Sequence, residues 1–328
     1  MNMLKFLALD RFTILLFIMV ILASVVPVSG QAADIFGVLT TIAIAILFFL
    51  HGAKLSRQAV REGIMHWRLH TLVFVITFAL FPILGLMAKP ILLPVLGTEL
   101  YWGFLFMCFL PSTVQSSIAF TSVAKGNVAA AVCSASFSNI IGMFITPVLV
   151  MFFILGQSSH DFDPTSAIIK ITLLLLVPFI LGQILRPYVF PHMQRLPTLV
   201  KTFDQGSILM VVYGAFSGAV VAGLWKEVSV ETLLWLTLAC SVLLTIVMLL
   251  SLYIPKWLGF NTSDQTAIFF CSSKKTLASG VPMAQILFIG QPLGMIVLPI
   301  MIFHQIQLMV CSIIANYWSK KYKTELDE

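Results

Sequence analysis

The sequence predicts an all-α polytopic membrane protein with ten transmembrane helices in two inverted five-helix repeats. Three observations support this fold class: the mean hydropathy is +1.03 and only 10% of residues are charged, apolar runs recur at the length of a bilayer crossing, and two of these runs are interrupted in corresponding places. A soluble globular protein carries about 25% charged residues. The chain therefore has too little polar surface to cover a water-soluble globule.

Apolar runs of roughly 20 residues, the length that crosses about 30 Å of hydrocarbon, follow one another along the chain. The first run is longer than the apolar part of a usual signal peptide, so we interpret it as a span. The ten predicted spans begin near Arg11, Asp34, Leu69, Leu100, Val128, Ala167, Gly206, Thr232, Gln265 and Gly290.

The basic residues between spans predict the orientation. Three of them, Lys89, Lys170 and Lys226, fall on one side, and fourteen fall on the other. Since cytoplasmic loops carry the excess of lysine and arginine, we place both termini in the cytoplasm and the protein in the plasma (inner) membrane. The fourteen are Lys5, Arg11, Lys54, Arg57, Arg61, Arg68, Lys125, Arg186, Arg195, Lys201, Lys256, Lys320, Lys321 and Lys323.

Ten spans divide into two sets of five, at residues 1–160 and 161–328. Five is an odd number, so the two sets have opposite topology in the membrane. In transporters built from inverted repeats, the binding site lies where interrupted apolar segments of the two halves meet. The sequence therefore predicts one integral membrane unit made of two five-helix repeats.

Both repeats are interrupted in their fourth span. The first interruption is LPSTVQSS at 110–117, and the second is SSKKT at 272–276. Pro111 lacks a backbone donor, and hydroxyls can bind the backbone groups that an unwound helix frees. Two such breaks at one point offer carbonyls, hydroxyls and helix N-termini, which favour anions. For one segment alone, a kink whose hydroxyls bond back to carbonyls one turn earlier is the simpler interpretation.

Lys274 and Lys275 lie about ten residues into the ninth span. A charge at that depth costs at least about 2.5 kcal/mol and marks a functional site by default. All thirteen acidic residues fall in predicted loops, tails or span ends, which leaves no carboxylate within a span to pair with a lysine or to hold sodium or a proton. The lysines are therefore neutral, water-exposed, or matched by a substrate anion and backbone carbonyls.

We predict a substrate and ion site around the two breaks, with no cofactor and no confident metal ligands. An enzyme is not expected, because the sequence shows no carboxylate pair, no His-rich metal motif and no Ser-Lys arrangement with an oxyanion hole. The five cysteines fit small core residues. Ser134, Ser136, Ser138, Asn139 and Gln307 are weaker candidates that more often bond helices together. The predicted site residues are Thr113, Gln115, Ser116, Ser117, Asn127, Ser272, Ser273, Lys274, Lys275, Thr276, His304 and Gln305.

Six stretches resemble the bile acid:sodium symporter family, in its branch that contains bacterial symporter homologues and the animal sodium/bile acid cotransporter 7. The resemblance covers nearly the whole chain. The stretches are LFFLHGAKLS at 47–56, FPILG at 81–85, LPSTVQSS at 110–117, AKGNVA at 124–129, FCSSKKTLA at 270–278 and LPIMIFHQIQLMV at 298–310.

The resemblance implies a panel domain from spans 1, 2, 6 and 7 and a core domain from spans 3–5 and 8–10, with spans 4 and 9 unwound and crossing. Ser116 and Ser117 fall where better-known members place a polar pair beside a bound sodium ion. Those members also resemble one another in a glutamate before the second break, where this chain has Phe269, Phe270 and Cys271. Sodium coupling is thus in doubt.

The leading hypothesis is a secondary transporter that moves a small organic anion by alternating access, with the core moving against the panel. A lysine ammonium takes the structural place of the sodium charge, and movement is uncoupled or coupled through a lysine proton. The expected partners are a small anionic substrate, the lipid bilayer and either sodium or a proton, without nucleic acid; the oligomeric state stays open. The alternative is a membrane regulator of ion homeostasis without transport of its own.

Overall fold

The computed structural model describes residues 11–54, 66–157, 169, 172–223 and 228–327. Every regular element within those ranges is a helix, which confirms the all-α class. In chain order the helices are α1 (Arg11–Val25), α2 (Gln31–Lys54), α3 (Trp67–Met87), α4 (Lys89–Leu96), α5 (Thr98–Phe109), α6 (Gln115–Val123), α7 (Val128–Phe153), α8 (Thr172–Ile184), α9 (Arg186–Arg195), α10 (Pro197–Val221), α11 (Val230–Trp257), α12 (Thr262–Ser272), α13 (Leu277–Leu287) and α14 (Leu293–Asp327).

Within the described ranges, six helices are long and apolar enough to cross a membrane: α2, α3, α7, α10, α11 and α14. A seventh is counted if α8 and α9, which are bent by 87° at one break, form one span. The predicted fourth and ninth spans are each two shorter helices, α5 with α6 and α12 with α13. Ten spans and their inverted repeat stay predictions, because length and apolar composition identify six or seven.

Part of the sequence prediction lies outside the described residues. This holds for the boundary between the repeats at residue 160 and for the predicted start of the sixth span at Ala167. The orientation stays a prediction as well, because many of its charges lie outside the described residues or have no described side chain. These are Lys5, Arg11, Arg57, Arg61, Lys170, Lys226, Lys321 and Lys323.

The chain forms two compact units, and the first consists of Met1–Leu55, Leu149–Val230 and Ala278–Leu298. Its α2 and α8 touch backbone to backbone. A Cβ atom on Gly52 would lie 2.0 Å from the carbonyl oxygen of Phe179, and one on Gly182 would lie 1.9 Å from that of Phe49. Only glycine permits this approach, which is typical of helices that pack in lipid. At the end of α2, Lys54 pairs with Asp204 of α10.

The second unit consists of Ser56–Val148, Glu231–Leu277 and Pro299–Glu328. It contains α3 to α6, most of α7, α11 and α12, and the greater part of α14. Both predicted breaks belong to this unit. The first separates α5 from α6 at residues 110–114, and the second separates α12 from α13 at residues 273–276.

Candidate functional site

A wide turn in α3 supplies the first part of the site. Residues Ile76–Leu80 form a π-helical segment in which the amide of Phe81 bonds the carbonyl of Ile76, five residues earlier. The next amide in this pattern belongs to position 82, which is proline and has no N–H to donate. The carbonyl of Thr77 therefore faces outward from the turn without that helical donor, as is common at π-bulges near functional sites.

The first break frees further carbonyls. Leu110 is extended, with φ −71° and ψ 152°, because the residue before a proline disfavours the helical conformation. The Ser112 amide donates to Ser138 Oγ at 3.1 Å and not to Cys108, so the Cys108 carbonyl also loses its helical donor. Thr146 Oγ1 donates to the Phe109 carbonyl at 2.8 Å, and Asn139 Nδ2 donates to that of Ser112 at 2.6 Å. Side chains of α7 thus satisfy part of the unwound backbone.

The second break is held by Gln307 of α14. Its Oε1 accepts from the Lys275 amide at 2.9 Å, and its Nε2 donates to the Lys275 carbonyl at 2.8 Å. The single buried side chain of Gln307 therefore bonds to both the backbone amide and the backbone carbonyl of Lys275. His304 Nδ1 lies 2.9 Å from the same Nε2.

The two breaks bond directly to each other. Ser117 Oγ donates to the Phe270 carbonyl at 2.9 Å, and Ser112 Oγ donates to that of Cys271. In the other direction, the Thr276 amide donates to the Pro111 carbonyl at 3.0 Å. Each break thus supplies donors for the carbonyls that the other frees, and the bonds join residues about 160 positions apart.

Lys275 occupies the point where the freed carbonyls of the first half converge. Its Nζ donates to the carbonyls of Thr77 at 2.8 Å, Cys108 at 2.8 Å and Leu110 at 2.7 Å. It lies 4.1 Å from the centre of the Phe81 ring and is fully buried. An ammonium group has three N–H donors, and all three are used here.

Lys274 has the opposite surroundings. Its Nζ is also fully buried, but it has no hydrogen-bond partner among the described residues. Two rings flank it: the centre of Phe120 lies 4.2 Å away and that of Phe270 lies 5.2 Å away. The sequence could not distinguish the two lysines, and the structure does so by their partners.

The predicted hydroxyl residues do not all behave alike. Ser117 crosses to the second break, whereas Ser116 bonds only within its own segment, to Thr113 Oγ1 at 2.6 Å. Ser272 Oγ and Ser273 Oγ donate to carbonyls one turn earlier, at 2.7 and 2.6 Å. For these two serines, the simpler interpretation of a hydroxyl that caps its own helix describes the geometry.

Three other predicted residues differ from these hydroxyl residues in their exposure or in their partners. Gln115 is exposed in the first turn of α6, and Gln305 is half-buried on α14. Asn127 lies at the start of α7 and donates to Asp264 Oδ1 at 2.8 Å. Its own Oδ1 caps α7 by accepting from the Ala130 amide.

Asp264 is buried, which its predicted place at a span end did not indicate. Only 6% of it is exposed, and the amides of Asn127 and Asn261 both donate to its carboxylate, at 2.8 and 2.9 Å. The start of α12 therefore binds the start of α7. No motif in the sequence indicated this pair, although Asn261 three residues before Asp264 is a recognisable N-cap.

Sequence reasoning also missed Ser112 and ranked Gln307 too low. Ser112 stood inside the first quoted motif, but nothing in its type distinguishes it from Ser116. Gln307 is a weaker candidate from the sequence, because a glutamine in a span more often bonds helices together, and here it bonds to the backbone of Lys275. Phe120 and Phe270 gave no signal, because phenylalanine is common throughout an apolar chain.

A model of the SBF-like CPA transporter family matches residues 10–320. The chain belongs to this family. It is therefore an integral membrane transporter and not an enzyme, as the sequence predicted. The resemblance to the bile acid:sodium symporter family is confirmed in that sense.

Three similar proteins agree with the assignment of this chain to a transporter family. Protein PA2026 of Pseudomonas aeruginosa is 54% identical over 95% of this chain and 93% of its own length. The Escherichia coli K12 protein named "Putative symporter YfeH" is 48% identical over 98% of this chain and 95% of its own. Sodium/bile acid cotransporter 7 of the mouse is 29% identical, over 83% of this chain and 81% of its own.

Proposed function

We propose that the transporter is a secondary transporter that moves a small organic anion across the plasma (inner) membrane by alternating access, and that it needs no sodium ion to do so. The observation that carries this proposal is the position of Lys275 Nζ. It donates to three backbone carbonyls at the point where the two breaks bond to each other. A side chain of the protein thus occupies the place where the freed carbonyls need a donor or a cation.

The argument rests on what the carbonyls require. Backbone carbonyls freed by an unwound helix in lipid must find a donor or a cation, because no water is present to satisfy them. In sodium-coupled transporters with broken helices, unwound carbonyls can coordinate the ion. Here the lysine ammonium satisfies three of them, so a mobile ion has less to gain by binding. Transport is then uncoupled from sodium, or coupled through a lysine proton.

The proposed substrate site comprises the polar side chains at the breaks together with the lysines. Among the predicted residues, Ser117, Lys274, Lys275 and Thr276 have contacts or burial that support it, and Thr113 and Ser116 lie beside Ser117. Helix N-termini at α6 and α13 favour an anion. The first compact unit contains α1, α2, α8, α9 and α10, as a panel from spans 1, 2, 6 and 7 would, but it also contains nearly all of α13, which belongs to the predicted ninth span. The division into panel and core stays a prediction.

Purified protein in liposomes tests the proposal. Uptake of radiolabelled benzoate and taurocholate is measured with sodium, potassium or choline as the only external cation. Taurocholate is included because a bile acid appears in the name of the mouse relative. We expect saturable uptake of at least one of them, at a rate that does not depend on the cation. Uptake that requires sodium contradicts the proposal.

The same experiment addresses the alternative of a regulator of ion homeostasis. A regulator without transport of its own gives no uptake of any anion by the purified protein. Empty liposomes and liposomes with heat-denatured protein give the background. A flux equal to that background for both probes removes the transport proposal.

A further inference from the structure

In the described part of the second unit, Lys274 combines a formally charged side chain with a buried polar atom that lacks a hydrogen bond. Its Nζ is fully buried and has no hydrogen-bond partner among the described residues. The other two buried side-chain atoms without a partner in the described part of this unit, Thr77 Oγ1 and Thr121 Oγ1, belong to neutral hydroxyls. Burial of an unpaired ammonium costs far more free energy than burial of an unpaired hydroxyl.

The two aromatic rings beside Lys274 offset only part of this cost. Phe120 and Phe270 lie at 4.2 and 5.2 Å, within the range of a cation–π contact. Such contacts are weaker than the desolvation of a buried charge. An anion at this place would supply what the rings do not.

Within the part of the chain that the structure describes, no carboxylate lies beside Lys274. The titratable groups beside Lys274 are the thiols of Cys271 on α12 and Cys311 on α14, and Cys271 Sγ donates to the Ala131 carbonyl at 3.7 Å, as a neutral thiol does. The acidic residue of α12, Asp264, lies ten residues earlier, about 15 Å along the helix. It is already bound by Asn127 and Asn261.

Lys275 cannot serve as the substrate's partner without the loss of its present bonds. All of its N–H donors bond to carbonyls of α3 and of the first break. A ligand that took Lys275 would leave those carbonyls unsatisfied in the membrane interior. The two adjacent lysines therefore have different tasks, one internal and one directed to a ligand.

The two rings beside Lys274 belong to a larger cluster of flat apolar side chains. The ring centres of Phe120 and Phe270 are 5.9 Å apart, and Trp318 of α14 lies 5.5 Å from Phe270 and 4.9 Å from Phe269. Aromatic surfaces of this kind bind flat apolar groups by stacking and edge contacts. One ammonium offers one positive charge.

We infer that Lys274, Phe120, Phe270 and Trp318 form the site for the substrate's charged end, and that the substrate is a monovalent anion with a flat apolar body, such as an aromatic carboxylate. This inference rests on the proposed function and narrows its substrate class. Because Lys274 is fully buried, we expect the rings of Phe120 and Phe270 to move apart when the substrate enters. Within the proposed site, Lys275 keeps its bonds to the three carbonyls and positions the backbone, whereas Lys274 binds the anion.

Equilibrium binding to the detergent-solubilised full chain tests the inference. The probes are benzoate, its uncharged analogue benzamide and the dianion isophthalate, each at up to millimolar concentration and measured by calorimetry. We expect benzoate to bind more tightly than both analogues. Lys274→Met weakens benzoate by about tenfold to a hundredfold, because it removes a bond between two charged groups.

Two matched variants complete the test. Lys256→Met removes an exposed lysine of the same unit and leaves benzoate affinity unchanged. Phe120→Leu keeps the site apolar but removes a ring, and it weakens benzoate while leaving the thermal stability close to that of the wild type. The Phe120 variant keeps the inference testable if Lys274→Met does not fold.

The outcomes are separable. Benzoate binding that is unaffected by Lys274→Met, a preference for isophthalate or benzamide, or no binding of benzoate at all overturns the inference. Taurocholate transport that persists in those cases leaves the proposed function intact. Benzoate that binds through Lys274, with no uptake of benzoate or taurocholate into liposomes, supports the inference about the site and removes the transport function.

Discussion

Lys274 and Lys275 are adjacent in one break, and their different surroundings give them different roles. Lys275 is held by three carbonyls from two other segments, whereas Lys274 is held by none. Both are fully buried, so exposure does not distinguish them. The loss of either lysine should therefore have a different consequence, on stability for one and on ligand binding for the other.

Lys275→Met is expected to destabilise the protein strongly. It removes the donor from the carbonyls of Thr77, Cys108 and Leu110, and an unsatisfied buried group costs about 1–3 kcal/mol. Thermal unfolding in detergent measures the effect as a lower apparent melting temperature. Lys256→Met, at an exposed position, is the control. Equal melting temperatures for the two variants would contradict the role given to Lys275.

Asn127 provides a second test, because its side chain has two separate partners. Asn127→Ser keeps a side chain that can cap α7 but loses the donor to Asp264. Asn127→Asp also keeps the cap, and it places a second carboxylate against Asp264. We expect the aspartate variant to melt well below the serine variant, since like charges in a buried site repel. If the Asn127→Asp variant melts at or above the temperature of the Asn127→Ser variant, the bond between Asn127 and Asp264 does not contribute to the stability.

Helix α7 fits against the first break through a glycine. A Cβ atom on Gly142 would meet the ring of Pro111 at 2.6, 2.7 and 3.0 Å. The proline ring is rigid, so it cannot rotate away as a long side chain would. The position of the break along the membrane therefore depends on the absence of a side chain at residue 142.

Gly142→Ala is expected to lower the stability by about 1–3 kcal/mol, the usual cost of forcing an extra methyl group into a packed core. The matched control is Gly218→Ala in α10, where the added Cβ meets nothing within 4 Å. That change is neutral or stabilises, because alanine favours the helix over glycine. Melting curves of the two variants decide the matter, and equal stabilities would argue against the close fit to Pro111.

The sequence predicted both broken spans because proline, clustered hydroxyls and charge at depth are unusual in an apolar run. Pro111 and the pair Lys274 and Lys275 carried that prediction, and the structure places helix ends at 109 and 272. The serines were less informative. Ser116 and Ser117 are adjacent and alike in type, yet only Ser117 reaches the other break.

The partners of Lys275 could not be predicted for a physical reason. They are backbone carbonyls, which every residue has, so their positions leave no mark in the residue types. Thr77 is 198 positions away in the chain from the lysine that it binds. Only Pro82, which prevents one helical bond in α3, hinted that a carbonyl there would be free.

Taken over the full chain, the two predicted halves depend on each other. All acceptors of the Lys275 ammonium belong to residues 1–160, and so do the donors to the carbonyls of Phe270 and Cys271. Each half therefore satisfies only part of the buried polar groups of its own break, and the other half supplies the rest. We therefore do not expect either predicted repeat to fold alone before it packs against the other.

Expression of residues 161–328 alone is therefore expected to give a protein that is degraded, and co-expression with 1–160 is expected to restore it. Membrane fractions probed with an antibody to a C-terminal tag measure the amount. Lys275→Met within the lone second half should raise its level, because it removes one ammonium that has no acceptor. A lone second half as abundant as the full chain would show that the breaks do not need each other.

The cluster of carbonyls around Lys275 also has a consequence for biosynthesis. A nascent segment with two lysines at its centre is opposed by about 5–7 kcal/mol when it leaves the translocon for lipid. The segments that carry Thr77, Cys108 and Leu110 emerge from the ribosome long before residue 275. Because synthesis starts at the N-terminus, the carbonyls that accept from Lys275 are in the membrane before Lys275 is made. The segment with the two lysines can therefore insert in contact with these helices and not with lipid alone.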